Sequence, residues 1–153
     1  MRKESIEAKI CEPAWAHQDA GFAPRLLLVD DEQKDLLRYS TLLKLQGYNV
    51  RTFQSHSEGA DCLDQEPFDL VIVSQGSSAF EGRSVLARAM LKDPETPVLV
   101  MARTAEVLYY LEAMQMGAVE YLLKPLSGSE IVRMAAKYLH GRGRDAGSVV
   151  KAN

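Results

Sequence analysis

The sequence predicts an α/β fold in which a doubly wound, five-stranded parallel sheet lies between five helices. Along residues 25–140, short apolar runs alternate five times with segments whose apolar residues recur at helical spacing. Runs that are apolar throughout are typical of strands buried on both faces. Strict alternation of strand and helix is typical of βαβ units, which build parallel sheets. With 153 residues, 46% of them hydrophobic, the chain supplies one core and a single domain is expected.

Each predicted element has its own local signal. The strands are apolar runs between proline, glycine or acidic residues: Leu26–Val29, Tyr48–Phe53, Leu70–Val73, Val98–Met101 and Tyr121–Leu123. The helices follow them in turn: Gln33–Gln46, a helix capped by Ser57 that ends before Pro67, Ser84–Leu91, Ala105–Met116, and a last helix through about His140. Gly47 and Gly117 are expected to stop their helices, and Ser127 with Glu130 forms a capping box.

Two terminal segments lie outside this pattern. Residues 1–24 hold scattered charges and two prolines, which predicts a disordered arm; a short docking helix carrying Ile6, Ile10 and Trp15 is the alternative. Residues 25–140 form the predicted domain. Residues 141–153 are rich in small side chains and predict a flexible tail.

Charge and hydropathy exclude several classes of function. Eighteen Lys and Arg against 21 Asp and Glu give a net charge of −3, so direct nucleic-acid binding is not expected. No apolar run approaches the roughly 20 residues that cross a bilayer, and no secretory signal opens the sequence. Cys11 and Cys62 share no metal-binding spacing and are expected to be free thiols, as in a cytoplasmic protein.

The carboxyl ends of the strands are where a doubly wound sheet places its function. The first strand ends in Asp30, Asp31 and Glu32, the third at Ser74, the fourth at Ala102 and the fifth at Lys124. Adjacent carboxylates repel unless a cation lies between them, so the pair suggests a site for a hard cation such as Mg²⁺, with Lys124 as a second neutralising group. The alternative is that one aspartate caps the following helix and the other faces solvent.

Over residues 25–140 the sequence resembles the receiver domain of bacterial two-component response regulators. The resemblance rests on LLLVDDE (26–32), PFDLVIVS (67–74), TPVLVMA (96–102) and MGAVEYLLKPL (116–126), and on Glu81-Gly82, which falls where the family has Asp-Gly. It implies a flavodoxin-like fold and a cis bond between Lys124 and Pro125. It also implies a signalling module that contacts a histidine kinase or a downstream effector.

Two positions that serve the phosphoryl group in that family differ here. Ser74 stands at the position of the phosphorylated aspartate, and Ala102 at that of the hydroxyl that binds the phosphoryl group, whereas Asp30, Asp31, Lys124 and the switch aromatic Tyr121 match the family. We therefore expect a pseudo-receiver without catalytic residues that acts by phosphorylation-independent protein–protein contact. Because the third carboxylate is missing, Mg²⁺ binding by the two aspartates is expected to be weak or absent, and no other cofactor is expected.

The fourth helix carries more apolar residues than it can bury. If Leu111 and Met114 face the sheet, Val107 and Tyr110 lie toward solvent beside Tyr121. In the family, the surface of the fourth helix, fifth strand and fifth helix is the usual contact for partners. The resemblance therefore implies an interaction face of Val107, Tyr110 and Tyr121, through which a homodimer could form.

Three other functions stay open at this point. The first is a working phosphorelay receiver that uses another acceptor, which would be Asp30, Asp31 or Ser74. The second is a flavodoxin-like cofactor binder or small enzyme, which the acidic first loop disfavours because it repels phosphate. The third is a module detached from a DNA-binding output domain. The histidines at 17, 56 and 140 are expected at the surface, away from any nucleophile.

Overall fold

Five strands and five helices alternate along the chain in the computed structural model, which describes the backbone of residues 23–152 and the side chains of residues 23–140. The strands are β1 (Arg25–Val29), β2 (Asn49–Phe53), β3 (Leu70–Ser74), β4 (Val98–Ala102) and β5 (Glu120–Leu123). The helices are α1 (Gln33–Leu45), α2 (His56–Gln65), α3 (Arg83–Lys92), α4 (Val107–Met116) and α5 (Gly128–Ala152). The predicted N-terminal arm, with Ile6, Ile10 and Trp15, lies almost wholly outside the described residues.

The sheet has the strand order β2-β1-β3-β4-β5, and every neighbouring pair is parallel, which confirms the predicted doubly wound fold. The chain leaves β1 for β2 on one side and then crosses to β3 on the other, so the order reverses between β1 and β3. Val29 lies in register with Val73, and Ala102 with Leu123. The residues that follow these strands therefore meet at one edge of the sheet, at the reversal point where such folds bind ligands.

Helices cover both faces of the sheet. On one face, strand residues such as Val71 and Val100 pack against α2, α3 and α4, and on the other, residues such as Ile72 and Leu99 pack against α1 and α5. These four side chains are fully buried. Burial on both faces explains why the central strands β3 and β4 are almost wholly apolar, whereas the edge strand β2 carries exposed Asn49 and Arg51 on either side of buried Val50.

The helix ends confirm some sequence signals and correct others. Gly47 and Gly117 adopt left-handed backbone angles, with φ of 92° and 119°, as the predicted stops require. The capping box is confirmed, since Glu130 N donates to Ser127 Oγ at 3.1 Å and Ser127 N donates to the Glu130 carboxylate at 2.9 Å. The cap of α2 is Ser55, whose hydroxyl accepts from Glu58 N at 3.2 Å, because Ser55 is extended and the helix already begins at His56.

The last helix continues to Ala152, about twelve residues beyond its predicted end. The sequence predicts a flexible tail there. Its glycines each cost a helix about 1 kcal/mol, but the segment contains no proline that would block the hydrogen-bond ladder. Within residues 23–152, none of the helices combines the length and apolar character that crossing a membrane requires.

Candidate functional site

A buried ion pair lies at the carboxyl edge of the sheet, where the loop after β1 faces the loop after β5. The ammonium of Lys124 donates to both carboxylate oxygens of Asp30, at 3.0 and 2.9 Å, and to Asp35 at 2.9 Å. Asp30 is 0% exposed and the Lys124 side chain 6%. The ammonium therefore occupies a position between two carboxylates, the kind of position that the sequence assigned to a metal cation. The Lys124–Pro125 bond is cis, as the family resemblance implies.

The charges of this pair influence one another's titration. Burial raises the pKa of the Asp30 carboxyl above its ordinary value, and the hydrogen bonds from Lys124 and from Glu32 N oppose that rise. Burial lowers the pKa of Lys124, but the hydrogen bonds to Asp30 and Asp35 outweigh it and the net pKa is raised. The two directions disagree on which protonation state the pair prefers. The charged pair is the state that the contacts support, because one ammonium donates to two carboxylates.

Ser74 ends β3 beside this pair, and its hydroxyl has defined hydrogen-bond partners. Its Oγ donates to Asp31 Oδ1 at 2.8 Å, and Asp31 N approaches the same Oγ at 3.4 Å. His56 Nε2 lies 3.1 Å from that Oγ and 3.0 Å from the carbonyl oxygen of Ser74. A carbonyl oxygen only accepts hydrogen bonds, so Nε2 carries a hydrogen and donates to Ser74. The serine is 3% exposed.

The expectation that His56 lies at the surface, away from any nucleophile, is therefore wrong. His56 opens α2 directly after the Ser55 cap, and the carboxyl end of β2 reaches the same sheet edge as the ends of the other strands. The functional residues expected from sequence lie at the ends of β1, β3, β4 and β5, whereas His56 follows the end of β2. Asp35 was missed for another reason, because it lies in the first turn of α1 and not at a strand end.

The third acidic residue of the first loop also has a protein partner. Glu32 forms a salt bridge with Arg103, which directly follows Ala102 at the end of β4. Glu32, and neither aspartate, is the N-cap residue of α1, so the alternative in which an aspartate caps that helix is not observed. Among the described residues, no group of three or more His, Cys, Asp or Glu side chains is arranged to hold a metal ion.

The loop after β3 packs closely over the serine. Gly82 N donates to Gln75 O at 2.9 Å, and a Cβ at Gly82 would lie only 2.3 Å from Ser74 O, so glycine is required for this approach. The side-chain carbonyl of Gln75 accepts a hydrogen bond from the Tyr121 hydroxyl. Burial raises the pKa of that Tyr121 phenol. The hydrogen bond between Gln75 and Tyr121 therefore joins the loop after β3 to β5 across the end of β4.

Two residues of the predicted interaction face are exposed, and the third lies beside them. Val107 is 69% exposed and Tyr110 is 42% exposed, and the Tyr110 ring meets the Tyr121 ring edge-on at 5.3 Å. The prediction that Leu111 faces the sheet is wrong, since it is 47% exposed. The helix begins at Val107, two residues later than predicted. Met114 packs against the core as expected, together with Tyr109, Ala113 and Met116.

The family of the chain follows from comparison with known sequences. The family model for the response regulator receiver domain matches residues 26–136. The chain belongs to this family. It is 35% identical over 118 residues to the alginate biosynthesis transcriptional regulatory protein AlgB of Pseudomonas aeruginosa, covering 77% of this chain and 26% of that protein. It is 30% identical over 122 residues to the transcriptional regulatory protein ZraR of Escherichia coli, covering 79% of this chain and 28% of that protein. The chain thus spans about a quarter of the length of these relatives.

Solved structures share the same fold. A CheY-like response regulator receiver domain protein from Methanospirillum hungatei superposes with a TM-score of 0.76 at 22% identity, covering 81% of this chain and 99% of that one. The chemotaxis protein CheY4 of Vibrio cholerae gives a TM-score of 0.70 at 21% identity, covering 77% of this chain and all of that one. These likenesses establish the receiver fold, while family membership makes the chain part of response-regulator signalling.

Proposed function

We propose that this chain is a pseudo-receiver, a receiver-type signalling module that acts by protein–protein contact without being phosphorylated itself. The single observation that carries the proposal is the hydroxyl of Ser74 at the end of β3, where it donates to Asp31 and accepts from His56. A serine hydroxyl is largely un-ionised at neutral pH and needs a base to become a nucleophile. His56 is not that base, because its Nε2 already donates a hydrogen to Ser74.

The other positions around the serine support the same function. Ala102 is buried at the end of β4 and has no side-chain donor for a phosphoryl oxygen. Lys124, which could otherwise offset phosphoryl charge, donates to the carboxylates of Asp30 and Asp35. The pocket thus presents neither the carboxylate that would be phosphorylated nor a hydroxyl on β4 that would bind the product.

We also propose that Mg²⁺ binds weakly or not at all, and that the module uses no other cofactor. Mg²⁺ takes near-ideal octahedral oxygen ligands and releases its waters reluctantly. Both oxygens of Asp30 accept hydrogen bonds from Lys124, and one oxygen of Asp31 accepts from Ser74. The side chains present therefore do not fit Mg²⁺ without displacing a buried ammonium.

Signalling proteins are the partners that we propose, either a histidine kinase or a downstream effector in the cytoplasm. Contact would be through the interaction face of Val107, Tyr110 and Tyr121, which also offers a route to a homodimer. Exposed Leu108 and Leu111 extend the apolar surface beside it, and contiguous apolar surface of this kind is typical of contact sites. The names of AlgB and ZraR describe proteins about four times longer than the matched region. For this chain we propose only the signalling step, without catalysis, membrane contact or direct nucleic-acid binding.

Intact-mass analysis after incubation with acetyl phosphate and Mg²⁺, and separately with a phosphorylated histidine kinase, tests the proposal. We expect no mass increase. An adduct of one phosphoryl group would overturn the proposal: lability to hydroxylamine would point to Asp30 or Asp31 as acceptor, and stability to Ser74. The matched control is the double variant Ser74→Asp/Ala102→Thr, which restores both a carboxylate and a hydroxyl and is expected to gain one labile phosphoryl group.

A further inference from the structure

Gln75 is a buried polar residue that the phosphoryl chemistry of receivers leaves unexplained. Its backbone is fixed on both sides, because Gln75 N donates to Met101 O at 2.6 Å and Gln75 O accepts from Gly82 N at 2.9 Å. The side chain starts from this fixed backbone and is confined by burial, since Gln75 is 5% exposed. It reaches across the end of β4 to the hydroxyl of Tyr121.

The hydrogens of this contact can be assigned from the neighbouring donors. Glu106 N lies 3.4 Å from the Tyr121 hydroxyl, and a backbone N–H can only donate. The hydroxyl therefore uses a lone pair toward Glu106 and directs its own hydrogen to Gln75 Oε1. Glu106 is the N-cap residue of α4, and its carbonyl accepts the hydrogen bond from Tyr110 N at 2.8 Å that closes the first turn.

We propose that Gln75 is a positioning residue for the interaction face. Its amide oxygen holds the Tyr121 ring against the sheet edge, and that ring in turn holds the start of α4 and supports the Tyr110 ring, which packs on it edge-on. The inference rests on the proposed function, because it explains how the face keeps one arrangement when no phosphoryl group is present to set it. Here an amide fixed at the end of β3 takes over the positioning of the aromatic ring.

Hydrogen exchange measured by mass spectrometry on the whole chain tests this role. Gln75→Met removes the acceptor at nearly constant side-chain volume, and Tyr121→Phe removes the donor from a half-buried ring that still fits. In each variant we expect the amides of residues 106–110 to exchange about fivefold to tenfold faster, as loss of one buried hydrogen bond implies. Gln115→Met, at an exposed site on the same helix, is the matched control and should leave the rates unchanged.

The double variant separates a shared contact from two independent ones. If Gln75 acts through Tyr121, Gln75→Met/Tyr121→Phe exchanges no faster at residues 106–110 than either single variant. Additive effects, or a wild-type rate in Gln75→Met alone, would overturn the inference. Faster exchange that extends equally into β4 would also overturn it, since that is general destabilisation. The exchange experiment contains no phosphodonor, so its result does not depend on whether the chain can be phosphorylated. Phosphorylation detected by intact mass would refute the proposed function and leave the exchange result unaffected.

Discussion

Replacing Lys124 with Met tests how far the buried carboxylate of Asp30 depends on its ammonium partner. Met keeps most of the side-chain length and removes the charge, leaving a carboxylate that is 0% exposed with its backbone contact to Glu32. Removing one partner of a buried ion pair costs about 3–5 kcal/mol. For a chain of this size, each kcal/mol shifts Tm by about 2–4 °C, so we expect a fall of about 10 °C.

The loss should depend on pH in a defined direction. Burial already raises the pKa of Asp30 in the folded protein, and removing Lys124 raises it further because the hydrogen bond and charge that opposed the rise are gone. A group whose folded pKa is raised contributes stability below its unfolded pKa and loses it as the pH rises through the folded pKa. The penalty of Lys124→Met is therefore largest at neutral pH. It shrinks as the pH falls through the raised folded pKa of Asp30 and is lost below the unfolded pKa of an aspartate, about 4.

Denaturant unfolding near neutral pH and at about pH 4.5 measures this penalty directly. The double variant Asp30→Asn/Lys124→Met removes both charges and should recover most of the loss. Lys137→Met is the matched control, because this exposed lysine has one 3.4 Å contact to Glu120 and should cost less than about 1 kcal/mol. The reasoning fails if the penalty is equal at both pH values, or if the double variant is no more stable than Lys124→Met.

Three further predictions follow from the same structure. Mg²⁺ at low millimolar concentration should leave Tm nearly unchanged by calorimetry; a rise of many degrees that Asp31→Asn abolishes would contradict weak binding. Val107→Lys with Tyr110→Lys should reduce self-association or partner capture, measured by light scattering and pull-down. Tm should fall by only a few degrees, because Val107 is exposed and Tyr110 loses one edge-on ring contact with Tyr121; unchanged association would count against the face. Gly117→Ala should lower the free energy of unfolding by about 1–2 kcal/mol, since φ is 119° and the new Cβ would lie 2.7 Å from Met90 Sδ; an unchanged denaturation midpoint would show that Met90 and the backbone adjust freely.

The strands and their order of appearance could be predicted because local sequence determines them. Leu70–Val73 is apolar at every position, and such a short run with β-branched residues is typical of a strand buried on both faces. Helix phase was harder to predict, because it depends on where the first turn begins. The start of α4 at Val107 turned Leu111 outward, and Tyr109 took its place in the core.

The site was predicted where its residues follow strands and missed where tertiary packing supplies them. Asp30, Ser74 and Lys124 each stand at a strand end, so a parallel sheet brings them to one edge. Gln75 also follows a strand, but nothing in its local sequence shows that its amide meets Tyr121, 46 residues away. Such a contact depends on the direction of one side chain above a packed sheet, which a single sequence does not encode in any local pattern.

Each acidic residue of the first loop has a partner within the protein. Asp30 pairs with Lys124, which also contacts Asp35. Asp31 accepts from Ser74, and Glu32 pairs with Arg103. A divalent cation could bind Asp31 readily, because that residue is only half-buried. Only one of its carboxylate oxygens accepts the hydrogen bond from Ser74, so the other can bind the cation. To bind Asp30 as well, the cation would have to displace the ammonium of Lys124, whose side chain is 6% exposed. The positive charge of Lys124 would then remain beside that of the cation. We expect repulsion between those two cations at this buried site to oppose the second ligand, so that metal binding and the Lys124 contact would compete for the same carboxylate.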